Sequence, residues 1–197
     1  MAPAQVVRWV KQSYPKPVVN TEWLDSCCEW IATEMNLNPN TQTEAFLTEV
    51  ENQLLESDLR DSMEPNTGLP RNASSMKNTR IRGSSILVEV TSIMEIGHSA
   101  FNLFNVRQAK LERADLAGLA NNEEGAENEG QGGDGGGGDE GPIPSYPRSM
   151  LRLEVSDGSV TMPAIEYRSI PQLKLEETSL GFKVGNSLYY CNIAVDF

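Results

Sequence analysis

Apolar residues recur at helical spacing through the first third of the chain and at strand spacing further on. Val6, Val7, Trp9 and Val10 predict a short helix over residues 4–14. Pro15 and Pro17 end it, since proline lacks the amide and clashes with the preceding turn. A second helix opens at Asn20 or Thr21, either of which can cap it, with Glu22 in the first turn where the macrodipole favours a carboxylate. Trp23, Cys27, Trp30 and Ile31 follow at helical spacing and predict an aromatic inner face, with Trp9, Trp23 and Trp30 as core anchors. Beyond a turn at residues 36–40, Ala45, Phe46, Val50, Leu54, Leu55 and Leu59 predict one amphipathic helix over residues 41–61, about five turns long or more.

Residues 65–83 read as a linker, after which Ile86, Leu87, Val88, Val90, Ile93 and Ile96 turn towards a β pattern. Residues 99–119 are mixed, with Phe101, Leu103, Phe104 and Val106 apolar and helical propensity from Gln108 to Leu119. Met150, Leu151, Leu153 and Val155 alternate up to Asp157-Gly158, and Val160, Met162, Ile165 and Tyr167 resume the pattern. Asp-Gly between such runs is a strong hairpin signal. Further strands are expected at residues 173–175 and 187–195. Each helix presents one apolar stripe that must pack on a neighbour. The expectation is an α+β chain, a three-helix segment followed by a small barrel or sandwich; an OB-fold needs about five such strands. The divisions fall at residues 1–64, a linker at 65–84, and β structure over 85–197.

Composition changes this picture in one place. Residues 121–142 hold almost nothing but Asn, Glu, Gly, Gln and Asp, which cannot bury enough apolar surface to offset ordering entropy, so a flexible acidic spacer is expected there. The formal charge of −12 argues against a protein that coats nucleic acid on its own, because phosphate binding rests on Lys and Arg. A local basic run, Arg71, Lys77, Arg80 and Arg82, contains no acid. No apolar run approaches the roughly 20 residues needed to span a bilayer, and no signal-peptide pattern opens the chain, so a soluble protein without membrane contact is expected.

The 3 cysteines, two of them adjacent at Cys27 and Cys28 and the third at Cys191, give neither a disulfide framework nor metal-ligand spacing. The 1 histidine, His98, has no nucleophile elbow or partner cysteine near it. The glycine tract lacks the Lys-Ser or Lys-Thr of a phosphate loop, and its carboxylates would repel a nucleotide. A non-enzymatic protein without metal or cofactor is expected, by elimination.

Four segments carry a family likeness: residues 22–27 (Glu-Trp-Leu-Asp-Ser-Cys) with Trp30-Ile31; residues 54–61 (Leu-Leu-Glu-Ser-Asp-Leu-Arg-Asp); residues 148–158 (Arg-Ser-Met-Leu-Arg-Leu-Glu-Val-Ser-Asp-Gly); and residues 165–171 (Ile-Glu-Tyr-Arg-Ser-Ile-Pro). In this order, and over roughly residues 5–183, they resemble the N-terminal region of the RecQ-mediated genome instability protein 1 family. The resemblance implies a helical segment before an OB-fold and a non-catalytic scaffold that binds topoisomerase III and a RecQ-family helicase in the nucleus. The complex would dissolve double Holliday junctions, and the scaffold would stimulate decatenation. A second OB-fold subunit belongs to the same implied assembly, and DNA contact would be weak or indirect.

Carried over by position, the insertion between the first two strands would run over about residues 97–147, as a long disordered loop reaching the topoisomerase gate. The family's Pro-Ala-aromatic element falls on Ser99-Ala100-Phe101, so Phe101, with Phe104 nearby, would meet the partner; the family's proline is replaced by Ser99. Lys183 matches a basic position on the OB surface that contacts the topoisomerase in relatives. Past Val184 the likeness fades, and the barrel is expected to be incomplete. Two other readings keep the fold. One is an autonomous single-strand-binding protein using Tyr167, Tyr189 and Tyr190 with Arg152, Arg168 and Lys183. The other is a Tudor-protein-like partner of the RNA-directed topoisomerase III paralogue.

Overall fold

The computed structural model describes residues 1–76, 84–123, 144–166, 168–185 and 193–194. Helix α1 (Ala4–Ser13) buries Val6 and Val10, one turn apart, on the same face. Helix α2 (Thr21–Glu34) starts where expected. Asn20 caps it, its Oδ1 accepting from the backbone amides of Glu22 at 2.8 Å and Trp23 at 3.0 Å. Its buried residues are Leu24, Cys27, Cys28 and Ile31, so the inner face is aliphatic and thiol rather than aromatic. Trp30 is 42 % exposed, and Trp9 and Trp23 only flank the core. The expected aromatic core is thus corrected: Trp30 falls one position off the stripe that Cys27 and Ile31 define.

The single helix expected over residues 41–61 is in fact broken. Helix α3 (Thr43–Glu56) ends at Ser57, whose ψ of 156° is extended. Asp58 then caps the short helix α4 (Leu59–Ser62), its Oδ1 accepting from Arg60 N at 2.8 Å. The break lets Phe46, Val50, Leu54 and Leu59 all reach one core while Leu55 stays 38 % exposed.

Among the described residues, five strands form one antiparallel sheet in the order β4-β1-β2-β3-β5, these being β1 (Val88–Glu95), β2 (Leu151–Ser156), β3 (Thr161–Glu166), β4 (Lys183–Val184) and β5 (Ile193–Ala194). Side chains alternate as the pleat requires: Leu151, Leu153 and Val155 on β2 and Met162 and Ala164 on β3 point into a second core. The β1–β2 register shifts between Val90 and Ser92, an irregularity of the kind that bends a strand. A fifth strand is present, at β5, on the edge of β3, where the sequence suggested an incomplete barrel. Residues 173–175 are not a strand. Leu173 is fully buried in a turn, its amide donating to Ile170 O at 3.0 Å.

Much of the expected linker is part of the fold. Leu69 and Ala73 are buried in the second core, and Ala73–Ser75 form a 3-10 turn. The two cores meet along a seam. Leu87 lies in the helical core, its amide donating to Lys16 O at 2.7 Å. On the sheet side, Leu69 N donates to Asp157 Oδ2 at 2.6 Å, which ties the residues before β1 to the β2–β3 hairpin. A Cβ on Gly158 would stand 2.4 Å from Leu59 O, so the tip of the β2–β3 hairpin sits directly on α4. Helices and sheet accordingly form one compact unit, residues 1–95 and 150–197, and the insertion, residues 96–149, forms a second.

Candidate functional site

The insertion joins β1 to β2, as expected, but its described part is not a loop. Helix α5 (Ala100–Glu123) occupies most of the first half, which corrects the expectation of a disordered loop from residue 97. Helical propensity from Gln108 to Leu119 decided the mixed segment. Residues 124–143, with most of the acidic glycine tract, lie outside the described residues.

Ser99 stands where the resemblance expects proline, and here it starts the helix. Its Oγ accepts from Asn102 N at 3.3 Å, and its carbonyl accepts from Leu103 N at 3.2 Å. A serine before the first turn satisfies amides that would otherwise lack partners. The lost ring stiffness is replaced by a capping hydrogen bond. Ala100 follows as the first helical residue.

Phe101 is 70 % and Phe104 is 58 % exposed. Leu111, at 49 % exposed, lies on the same side, because steps of three, four and three residues hold one helical face. Gln108, also exposed, fills the gap. Leu111 was not singled out from sequence, although its spacing from Phe104 was the available signal. On the opposite side Leu103, Val106, Lys110 and Arg113 are half-buried, and Lys110 Nζ lies 4.7 Å from the ring centre of Tyr146 on the returning segment. The helix therefore has an inner face tied to its own unit and an outer ridge of two phenylalanines and a leucine. From Ile96 to Leu111 no carboxylate interrupts it. An exposed apolar ridge of this kind marks a protein-contact surface.

Lys183, expected on the OB surface, lies on β4 with its side chain nearly enclosed. Its side chain is 4 % exposed; Nζ sits 3.2 Å from Glu89 Oε2 and donates to Gly181 O at 2.9 Å. Glu89 Oε2 also accepts from Leu59 N at 3.4 Å. The ammonium ties β4 to β1 and, through Glu89, to α4; the β4–β1 pairing of Lys183 with Glu89 brings this about. Tyr167, Tyr189 and Tyr190, the platforms of the single-strand-binding reading, lie outside the described residues.

Nothing else in the described residues offers covalent chemistry. Burial pushes the Cys27 thiol up to about 12, with Cys28 and Glu49 adding to the shift, and burial together with Asp25 pushes Cys28 up to about 11. Both stay protonated and unreactive near neutrality. No group of three or more His, Cys, Asp or Glu among the described residues could hold a metal ion. No helix among them is long and apolar enough to cross a membrane.

Comparison with known proteins matches residues 10–62 to the family description "RMI1, N-terminal helical domain" and residues 69–185 to "RMI1, N-terminal OB-fold domain". A zebrafish (Danio rerio) protein named RecQ-mediated genome instability protein 1 is 27 % identical over 151 residues, 77 % of this chain and 25 % of its own length. The chain thus spans about a quarter of that relative.

Proposed function

The chain belongs to the RMI1 family, and from that premise we propose that it is a non-catalytic scaffold subunit of a topoisomerase III–RecQ helicase complex. Membership supports a role in genome stability. The finer reading is that the α5 insertion docks on topoisomerase III in the nucleus and stimulates decatenation and double Holliday junction dissolution. One observation carries it: Phe101 and Phe104 stand exposed, with Leu111, along one side of a helix inserted between two strands. Aromatic side chains held rigidly in this way bury large area on docking at little entropic cost. The helicase partner is supported by the name of the zebrafish relative, RecQ-mediated genome instability protein 1.

The scaffold reading also fits the charge. A protein of −12 that stimulates a topoisomerase does so through the enzyme and not by gathering DNA. The test is decatenation by purified topoisomerase III with and without the full chain. Stimulation is expected, and Phe101→Ala with Phe104→Ala should lower the affinity of the pair about tenfold or more. A chain that neither binds the topoisomerase nor changes its rate rules the proposal out. A titration of labelled single strands at about 50 and 200 mM salt should show weak binding at both.

A further inference from the structure

A second surface lies on the other unit, where the turn between α3 and α4 faces the β1–β4 edge. There an open groove of about 790 Å³ runs between Leu55, Glu56 and Asp58 on the helical side and Leu180 and Phe182 on the barrel side. Its two lips are apolar and wet, Leu55 at 38 % and Leu180 at 64 % exposed. Its floor holds the Lys183–Glu89 pair, which satisfies itself. The floor therefore presents little unpaired polarity to an apolar side chain lying over it.

The wall charges favour one kind of occupant. Glu56, Asp58 and Glu89 outnumber the single lysine, and Lys183 is already committed to Glu89. The Glu56 side chain is exposed and makes no hydrogen bond or ion pair among the described residues. It is also the last residue of α3, a helix with no basic residue in its final turn, so the negative end of that helix dipole is left unneutralised beside it. A cation at this point meets a carboxylate and a helix C-terminus together.

From this geometry we propose that the groove is a docking site for a linear segment of a partner protein in which a bulky apolar residue is flanked by lysine or arginine. The apolar residue lies between Leu55 and Leu180, and the basic neighbour meets Glu56 and Asp58. Other occupants fit less well. Nucleic acid is repelled by the carboxylates. A second copy of this chain brings −12 more charge. The site does not depend on the α5 ridge, and its failure leaves the topoisomerase reading untouched.

The full chain is panned against a displayed library of random peptides about ten residues long, and the selected peptides are resynthesised with a fluorophore and titrated. The peptides are expected to carry an aliphatic or aromatic residue with Lys or Arg within a few positions. Their affinity should fall about tenfold or more in Leu180→Asp and in Glu56→Lys, and should weaken with salt. Both side chains are exposed, so thermal unfolding of each variant is expected to match the parent chain and shows that a loss is not misfolding. The proposal is overturned if no peptide is enriched, if the enriched peptides are acidic or uncharged, or if both variants bind them as the parent does. Self-association or DNA binding that Leu180→Asp abolishes would overturn it equally, since the groove would then serve a different occupant.

Discussion

Asp157 is enclosed at 2 % exposure, and its carboxylate is fully used: Oδ2 accepts from Leu69 N, while Oδ1 accepts from the amides of Ser159 and Val160 and from the Ser159 hydroxyl. An asparagine there keeps the shape but turns one acceptor into a donor facing amide hydrogens. Asp157→Asn should therefore cost about 2 kcal/mol, read as a lower urea midpoint. Gly158→Ala should cost about 2–3 kcal/mol, because φ is +92° and the new Cβ would meet Leu59 O; an unchanged midpoint in either variant rules this account out. The thiols give a pH window. With folded values of about 12 and 11 against a usual 9.0, neutral burial of Cys27 and Cys28 favours the fold fully below pH 9.0, and that contribution is lost as pH rises through 11 to 12. In a Cys191→Ser background, alkylation at pH 8 should be far slower than in the unfolded chain, since Cys28 alone holds about a hundredfold less thiolate. Residue type announced the hairpin, since Asp-Gly has few other uses between alternating runs. It did not announce that Asp157 reaches back to Leu69, a long-range bond that no local pattern encodes.

At the scale of elements, the same residue type does opposite work in α3 and α5. Phe46 on α3 is 1 % exposed and fills the helical core, so Phe46→Ala should cost about 3–5 kcal/mol. Phe101→Ala and Phe104→Ala should leave thermal stability within about 0.5 kcal/mol of the parent, because neither ring is buried. Equal losses for the two helices in urea denaturation would show that the α5 ridge is packed, contrary to its exposure. Ser99→Ala should fray the start of α5 by about 1 kcal/mol, seen as faster amide exchange over residues 100–104. The first two helices were legible because α1 has a clear stop at Pro15 and α2 a clear start at Asn20. The α3–α4 break was not read, although Ser57-Asp58 is a capping pair, because the apolar spacing continues across it to Leu59. α5 was read only in its second half; its first half is apolar on both sides, one face tied to its own unit and one free, so no single period stands out.

On the scale of the whole molecule, the seam decides how the chain folds. Leu87 belongs to the helical core although it lies just before β1, and Glu89 links β1 both to Lys183 on β4 and to the first amide of α4. A residue count would divide the chain near residue 64. The contacts do not, because residues 65–76 bury Leu69 and Ala73 beneath the sheet. Linker composition, rich in Pro, Asn and Gly, said nothing of burial. Helices and barrel should therefore unfold together, in one transition at the same urea midpoint by far-ultraviolet dichroism and by tryptophan emission, since every tryptophan lies in the helices. Weakening the seam should lower the stability of both together. Lys183→Ala leaves the Glu89 carboxylate nearly enclosed without its counter-charge and should cost about 3 kcal/mol, whereas the paired change Glu89→Leu with Lys183→Met should recover most of that loss. Both probes should move together in each variant. A fragment of residues 1–64, lacking Leu87 and the Glu89 acceptor, should unfold at a clearly lower midpoint than the full chain. If it unfolds at the same midpoint with the same slope, the helices are an independent domain and the seam is only a contact.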